Sequence, residues 1–415
     1  MVGLLYHHFV SEKLEFVTYS KNDKLIYLKI QDYAYYIIIV KSFWVENFGN
    51  IYKLDFQQKA LSSFVGTNIS LAMPPGVTPV ALLIWLPFAC IANQSIALSY
   101  TFWTMTSLIF FIIALSKFLK NNYCENIKSK LPFYLIIVTI VSPATALCLL
   151  LGQTSIFAVG LFTLLVNYTY EKKINRKTPF DWIYISIVVF LSAIKPSYVA
   201  LSFGILAIHG LWKEAILSSI FLSIYLISIS PLLGFDWISS YKYLLSMYTS
   251  GNFPKEYAWS IVPSTMIVFR TSFRSVIGDQ LGVLLSNIAT IVIYFIVLWK
   301  SLVFLKNESK DLYNQKKTIY IILVSSYLLF APYAGAYEDV FFMIIFLMVL
   351  NTKSLPEPIG VKGLALIALT LVVLSQNVLN LSQIQSVFWI LKFLLIFIII
   401  FYCFIEKEAD LRFKF

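Results

Sequence analysis

The chain has 415 residues, of which 59% are hydrophobic and 13% are charged, with a mean hydropathy of +0.79. A soluble domain has too little polar surface to cover so many apolar side chains, so this composition excludes that class and indicates a polytopic membrane protein. The net charge is +11, but the basic residues fall in short loops between apolar runs. We therefore attribute the charge to membrane topology rather than to a nucleic-acid partner.

The N-terminal part of the chain predicts little membrane-spanning structure. Residues 1–31 contain no apolar run near 18 residues long, so we expect neither a membrane span nor a signal peptide there. Residues 32–94 are expected to form a first outer loop on the non-cytoplasmic face. Pro79 and Pro87 interrupt its apolar stretch at 74–92, which favours a short or re-entrant helix over a full crossing.

The rest of the chain predicts membrane helices, with a core at 95–350 and C-terminal helices at 351–415. A helix needs about 20 residues to cross the hydrocarbon, and shorter runs must tilt, kink or extend into their flanks. We expect an all-α polytopic bundle of about 10 to 12 membrane segments. The apolar runs are 95–116, 131–151, 154–170, 181–194, 197–211, 215–233, 281–299, 318–331, 340–350, 363–377 and 386–405.

The loop charges give this bundle an orientation. Three loops are rich in lysine and arginine and are assigned to the cytoplasm: 117–130, 171–180 and 300–317. Counting spans outward from them assigns four further stretches to the opposite, periplasmic or lumenal face: 151–154, 194–197, 234–280 and 331–339.

Polar residues in two outer turns are candidates for substrate binding. Lys195 lies within an apolar segment, where an ammonium needs an anion or water, and Pro196 bends the chain beside it. A structural lysine that extends its charge to the interface is the alternative. Gln153, after Gly152, interrupts another apolar run with an amide that can both donate and accept hydrogen bonds.

Two charged pairs lie on the same face. Arg270 and Arg274, four residues apart, could bind phosphate oxygens, or could form an ordinary solvated helix face. Glu338 and Asp339 stand at the joint between two apolar runs, where they could line a polar cavity or form a solvated turn. The histidines and cysteines show no metal-ligand spacing, and we expect no metal and no cofactor.

Six motifs in order resemble the polyprenol-phosphate-mannose-dependent α-mannosyltransferases of the GT-C superfamily of integral-membrane glycosyltransferases. The resemblance covers about residues 32 to 350. The motifs are DYAYY (32–36), NIYKLDFQQKAL (50–61), MPPGVTPVALLIWLPFA (73–89), SPATALCLLLGQTS (142–155), AIKPSYVAL (193–201) and APYAGAYEDVFFMI (331–344).

The resemblance implies a GT-C-like bundle whose donor is a hexose, such as mannose, linked through phosphate to a polyprenol. It also implies an acceptor that is a glycan or a lipid, and a catalytic acid in the first outer loop, which falls on Asp32. A carboxylate can act there as the general base that removes the acceptor hydroxyl proton. Lys195 and Arg270 would contact the donor phosphate, and Gln153 would contact the sugar or the phosphate. Glu338 and Asp339 would line the cavity. Asp55 is the alternative base.

Two other functions stay open at this point. A transporter or flippase of a lipid-linked sugar would also need polar residues at breaks in membrane helices. The second open function is that of an inactive relative that acts as an assembly partner. The resemblance implies a membrane span just before the catalytic loop, and residues 1–31 show none, which would leave the catalytic loop without its expected span. For an enzyme of this type we expect a multi-pass location in a bacterial inner (plasma) membrane, among its lipids, with the active site facing the periplasm or the outside.

Overall fold

The computed structural model of the chain describes residues 32–46, 48–65, 76–123, 152–171 and 180–250. It also describes single positions between 136 and 149 and between 276 and 299, and residues 340–341. The chain is almost entirely helical within these ranges and contains no strand there. The expected all-α class is confirmed for this part of the chain.

Nine α-helices are described, and their bounds are as follows. They are α1 (Asp32–Lys41), α2 (Leu54–Val65), α3 (Val80–Ala92), α4 (Ile96–Tyr123), α5 (Ser155–Glu171), α6 (Asp181–Ser192), α7 (Pro196–Ile208), α8 (Trp212–Leu233) and α9 (Trp237–Ser250). A π-helical turn, Ser42–Glu46, continues α1.

Two of the described helices are long and apolar enough to cross a membrane: α4, over Ile96–Leu119, and α8. Four apolar helices, α3, α5, α6 and α7, are shorter. The 12 residues of α6 rise about 18 Å at 1.5 Å per residue, well short of a hydrocarbon core about 30 Å thick. Of the described helices, only α4 and α8 therefore have the length of a span, and the expected bundle of about 10 to 12 membrane segments stays a prediction.

The centre of the fold is a bundle formed by α4 to α8. Helices α4 and α5 run side by side in the same direction, with Trp103 and Phe110 of α4 both packed on Phe157 at ring distances of 5.7 and 5.2 Å. Gly160 allows this approach, since a Cβ there would meet the Phe110 ring at 2.8 Å. Helix α6 packs against α5, α7 and α8. Close van der Waals packing of this kind stabilises helix contacts in lipid as well as in water.

The bundle has two ends, which we name after the residues that mark them. Three helices, α4, α5 and α7, begin at the Gly152 end, and α6 and α8 finish there. At this end the Tyr198 hydroxyl of α7 hydrogen-bonds the Ser155 hydroxyl of α5 at 3.1 Å. At the Glu214 end, α5 and α7 finish and α6 and α8 begin; the Tyr168 hydroxyl of α5 donates to Glu214 of α8 there at 2.9 Å.

Helices α1 and α3 form a layer across the Gly152 end. Helix α3 begins beside the α6–α7 turn, where the Thr78 N–H donates to the Ile194 carbonyl at 2.9 Å. It finishes beside the start of α4, where the Ser99 hydroxyl donates to the Phe88 carbonyl at 2.6 Å. Both ends of α3 therefore lie at the Gly152 end, and this helix does not run the length of the bundle.

Two expected loops contain helix instead. The loop expected at 117–130 begins later, because α4 continues to Tyr123 and so includes Lys117 and Lys120. Lysine, leucine and phenylalanine are all compatible with a helix, so α4 continues after its apolar stretch has ended. The hydrophilic stretch expected at 234–280 likewise begins with α9.

Candidate functional site at the Gly152 end

The Gly152 turn is held in a left-handed helix cap. Gly152 has φ +64°, and its N–H donates to the Leu149 carbonyl at 3.2 Å. The Gln153 N–H donates to the Cys148 carbonyl at 2.9 Å. This pair of hydrogen bonds is the Schellman arrangement, in which glycine is favoured because it has no Cβ to clash in the left-handed region. The sequence Gly-Gln-Thr-Ser thus closes one helical segment and opens α5.

Tyr33 lies directly on this turn. A Cβ at position 152 would overlap the Tyr33 Cβ and come within 3.1 Å of the Tyr100 ring. The Tyr33 hydroxyl hydrogen-bonds Ser99 at 2.6 Å, and its ring stacks on Trp103 at 6.4 Å. Burial raises the pKa of the Tyr33 phenol above its ordinary range, so this hydroxyl stays neutral and is not a base. Helix α1 begins one residue earlier, at Asp32, and the start of α1 is therefore fixed beside the Gly152 turn.

Lys195 lies at the turn between α6 and α7. Its backbone is extended (φ −126°, ψ 141°), as the following proline requires, and Pro196 occupies the first helical position, where a missing N–H costs nothing. The side chain is only 4% exposed, and its Nζ lies 5.4 Å from the centre of the Tyr198 ring. A buried ammonium packed on an aromatic face is a strong local positive charge.

Tyr198 connects the Lys195 turn to the Gly152 turn. Its hydroxyl hydrogen-bonds the Ser155 hydroxyl at 3.1 Å, and both groups are buried. Ser155 is the first residue of α5 and stands two positions after Gln153, which is itself 3% exposed. The two polar turns expected from the sequence are therefore neighbours in the fold.

A fourth segment reaches the same region through Phe341. The Phe341 ring lies 5.7 Å from the Tyr198 ring and 5.9 Å from the Phe162 ring, and Val340 and Phe341 are both buried. These residues follow Glu338 and Asp339 immediately in the chain. Phe341, the second residue after that acidic pair, therefore packs against α5 and α7.

The Thr154 hydroxyl is buried between Gln153 and Ser155 and has no hydrogen-bond partner among the described residues. Buried polar groups are nearly always paired, with protein, water or a ligand. Because Thr154 directly precedes α5, its hydroxyl lies at the positive end of that helix, which favours an anion. Thr154 is therefore a candidate to contact a polar ligand group.

The structure brings three of the residues singled out from the sequence to one end of the bundle: the backbone of Asp32, Gln153 and Lys195. Arg270, Glu338 and Asp339 lie outside the described residues, as does the side chain of Asp32. The sequence analysis missed Tyr33, Thr154 and Tyr198. One signal was present for Tyr198, since the third residue of a helix lies close to the residue that precedes the helix, here Lys195.

A polar network tethers the loop after α1 to the turn between α8 and α9. Lys53 and Asp236 form an ion pair at 2.6 Å, and each side chain is about half exposed. Asn50 donates to Asp236 at 3.3 Å and to Ser240 at 3.0 Å. The hydrogen bond from Lys53, with the weaker one from Asn50, lowers the pKa of Asp236 below its ordinary range. Asp55 is exposed in the first turn of α2.

Within the part of the chain that the structure describes, no three histidine, cysteine, aspartate or glutamate side chains come close enough to hold a metal ion.

No family model, no curated protein and no solved structure matches this chain. The Gly152 end combines a buried ammonium, a buried amide, the N-termini of α5 and α7, and a hydroxyl that has no partner among the described residues. Such an arrangement can bind an anionic, hydroxyl-rich group.

Proposed function

We propose that this protein is an integral-membrane glycosyltransferase that transfers a hexose, such as mannose, from a polyprenyl-phosphate donor. The acceptor is a glycan or a lipid on the non-cytoplasmic face. The observation that carries the proposal is the meeting of four sequence-distant segments at the Gly152 end. Tyr33 packs on Gly152, Tyr198 joins Lys195 to Ser155, and Phe341 packs on Tyr198.

Sugar transfer needs a base and a group that stabilises the departing phosphate. Asp32 is the proposed base: its carboxylate takes the acceptor hydroxyl proton as that oxygen attacks the anomeric carbon. The bond from the anomeric carbon to the phosphate oxygen breaks at the same time, and the phosphate leaves with the bonding electron pair. Lys195 is the proposed cation that stabilises the negative charge on that oxygen.

The remaining residues bind rather than react. Gln153 and Thr154 are proposed to hydrogen-bond the sugar or the phosphate, because an amide and a hydroxyl can each donate and accept. Arg270 is proposed as a second phosphate contact, and Glu338 and Asp339 as polar residues of the cavity. These three assignments come from the sequence and its family resemblance.

The protein is proposed to be a multi-pass protein of a bacterial inner membrane, with the Gly152 end facing the periplasm or the outside. Helices α4 and α8 have the length and apolarity of spans, and the position of α3 across one end supports a short element rather than a crossing. The basic loop at 171–180 then follows α5 at the opposite, cytoplasmic end.

The test is transfer of radiolabelled sugar from synthetic polyprenyl-phosphate-mannose to membrane lipid extract by purified full-length protein. Wild type is compared with Asp32→Asn and with a matched control, Asp55→Asn. The two substitutions make the same chemical change, but Asp55 is an exposed residue of α2. We expect transfer by wild type and Asp55→Asn and a loss of about 10²- to 10⁴-fold in Asp32→Asn, the range for a missing general base.

Three outcomes would contradict the proposal or part of it. Loss of activity in Asp55→Asn alone would make Asp55 the base. Equal transfer by all three proteins would remove the general-base role from both residues. Transfer by none of them, under conditions in which an established mannosyltransferase works, would favour a transporter or an inactive assembly partner.

A further inference from the structure

A cavity lies at the Glu214 end, at the opposite end of the bundle from the proposed active site. It has a volume of about 900 Å³ and lies between the end of α5 and the starts of α6 and α8. The residues that give it chemical character are Tyr168, Asp181, Trp182, Trp212, Lys213 and Glu214. None of them takes part in the sugar transfer proposed above.

Glu214 is a buried carboxylate in the wall of this cavity. It is 3% exposed, and its Oε1 accepts a hydrogen bond from the Tyr168 hydroxyl at 2.9 Å. Its backbone carbonyl accepts hydrogen bonds from Ser218 at 2.6 Å and from Ser186 at 3.2 Å. Three helices thus fix the first turn of α8 and with it the position of the carboxylate, which is what a preorganised binding group requires.

The cavity carries charges of both signs. Asp181 at the start of α6 adds a second carboxylate, and the exposed Lys213 adds an ammonium next to Glu214. A zwitterionic ligand is complementary to this arrangement, with its cation toward the two carboxylates and its anion toward Lys213. A purely anionic ligand would leave the carboxylates facing like charge.

An exposed apolar stripe leads away from the cavity along α8. Ile216 and Ile220 line the cavity itself, and Ile224 and Ile227 continue the same face; these four side chains are 45–73% exposed. Their spacing of four, four and three residues keeps them on one side of the helix. The stripe rises about 16 Å at 1.5 Å per residue, close to half of a hydrocarbon core about 30 Å thick.

Two exposed tryptophans line the cavity, at the starts of α6 and α8. Trp182 is 41% exposed and Trp212 is 62% exposed. Tryptophan is enriched at the level of lipid headgroups because its ring is apolar and its N–H is polar. In the membrane location proposed above, the cavity would lie at the depth of the headgroups and the stripe at the depth of the acyl chains of one leaflet.

We propose that this cavity binds the headgroup of a phospholipid that carries both an ammonium and a phosphate, namely phosphatidylethanolamine. Its ammonium contacts Glu214 and Asp181, its phosphate contacts Lys213, and one acyl chain lies along the isoleucine stripe of α8. The proposal rests on the membrane location of α8 proposed above but not on sugar transfer.

The test is native mass spectrometry of the full-length protein, released from micelles that contain equimolar phosphatidylethanolamine and phosphatidylglycerol. These two lipids share the phosphate and the acyl chains and differ in the ammonium. We expect wild type to retain phosphatidylethanolamine about tenfold over phosphatidylglycerol, equivalent to about 1.4 kcal/mol. Glu214→Gln, which can still accept the Tyr168 hydrogen bond, is expected to abolish the preference, and Asp181→Asn to reduce it.

The matched control is Glu46→Gln, which removes an exposed carboxylate from the turn after α1 at the Gly152 end. It is expected to keep the wild-type preference. Equal retention of both lipids by wild type would overturn the proposal whatever the variants do, and so would an unchanged preference in both Glu214→Gln and Asp181→Asn. Sugar transfer is measured separately on the same preparations, so failure of one proposal does not decide the other.

Discussion

Gly152 and Gly210 have the same backbone conformation at opposite ends of the bundle. Each has φ +64° and each follows a helical segment. A Cβ on Gly152 would overlap Tyr33, whereas a Cβ on Gly210 would meet no atom within 4 Å. The same local signal, a glycine at the end of an apolar helix, thus serves a crowded tertiary contact at one end and an open turn at the other.

The difference extends to the surroundings of each turn. The Gly152 turn is covered by the layer of α1 and α3 and connects to Lys195 through Tyr198. The Gly210 turn instead lines the cavity that contains Glu214 and the two tryptophans. A covered end with a buried cation suits chemistry that must exclude water, while an open end suits the reversible binding of a ligand, such as the lipid proposed above.

The largest expected effect is on stability at the covered turn. Gly152→Ala adds the cost of a left-handed alanine, about 1–2 kcal/mol, to an overpacking cost of about 1–3 kcal/mol against Tyr33. Gly210→Ala carries only the first of these costs. Chemical denaturation in detergent micelles should therefore show a loss that is larger for Gly152→Ala by about 1–3 kcal/mol. Equal losses would mean that the contact with Tyr33 is not what separates the two turns.

The next effect separates the two ends by their chemistry. Lys195→Met keeps an unbranched, largely apolar side chain but removes the ammonium proposed to stabilise the leaving phosphate. We expect sugar transfer to fall by about 10²- to 10³-fold, as for loss of one electrostatic stabiliser of a transition state. Lys213→Met, the same change at the Glu214 end, should leave transfer unchanged. A similar fall in both variants would contradict the assignment of chemistry to the Gly152 end alone.

Two tyrosine-to-phenylalanine substitutions compare one buried hydrogen bond at each end. Tyr168→Phe removes the hydrogen bond that the buried Glu214 carboxylate accepts from this hydroxyl and should destabilise the protein by about 1.5–3 kcal/mol, the range for hydrogen bonds to charged groups. Tyr198→Phe removes a hydrogen bond between two neutral hydroxyls and should cost about 1 kcal/mol. Denaturant midpoints of the two variants at neutral pH test this order, and the reverse order would contradict the buried carboxylate at the Glu214 end.

The smallest expected effect concerns the exposed ion pair of Lys53 and Asp236. Folding lowers the pKa of Asp236. The carboxylate therefore contributes its full stabilisation at pH values above the ordinary pKa of an aspartate, and this stabilisation is lost as the pH falls through the lowered pKa. Lys53→Gln should therefore lower the thermal midpoint slightly at pH 7 and leave no difference once the carboxylate is protonated in strong acid. High salt should also shrink the difference at pH 7, because exposed pairs are screened. A difference that persists at acid pH would have another cause.

The sequence alone determined the helical class and the positions of several turns. The breaks expected at 151–154 and 194–197 coincide with the Gly152 and Lys195 turns, because an apolar run interrupted by glycine or by lysine and proline is a local signal. Local signals were less reliable at helix ends, as the continuation of α4 past Lys117 and Lys120 shows. Hydropathy records which residues prefer lipid, and a helix can continue beyond the apolar stretch.

Only the tertiary structure decided which of these turns are neighbours. Neither helical periodicity nor loop charge indicates that Tyr33 packs on Gly152 or that Tyr198 reaches Ser155, since each contact joins residues far apart in the chain. The buried state of Glu214 depends in the same way on Tyr168, which comes from a different helix. Periodicity describes one helix at a time, whereas a site at the end of a bundle is formed by side chains from several helices whose packing places them together.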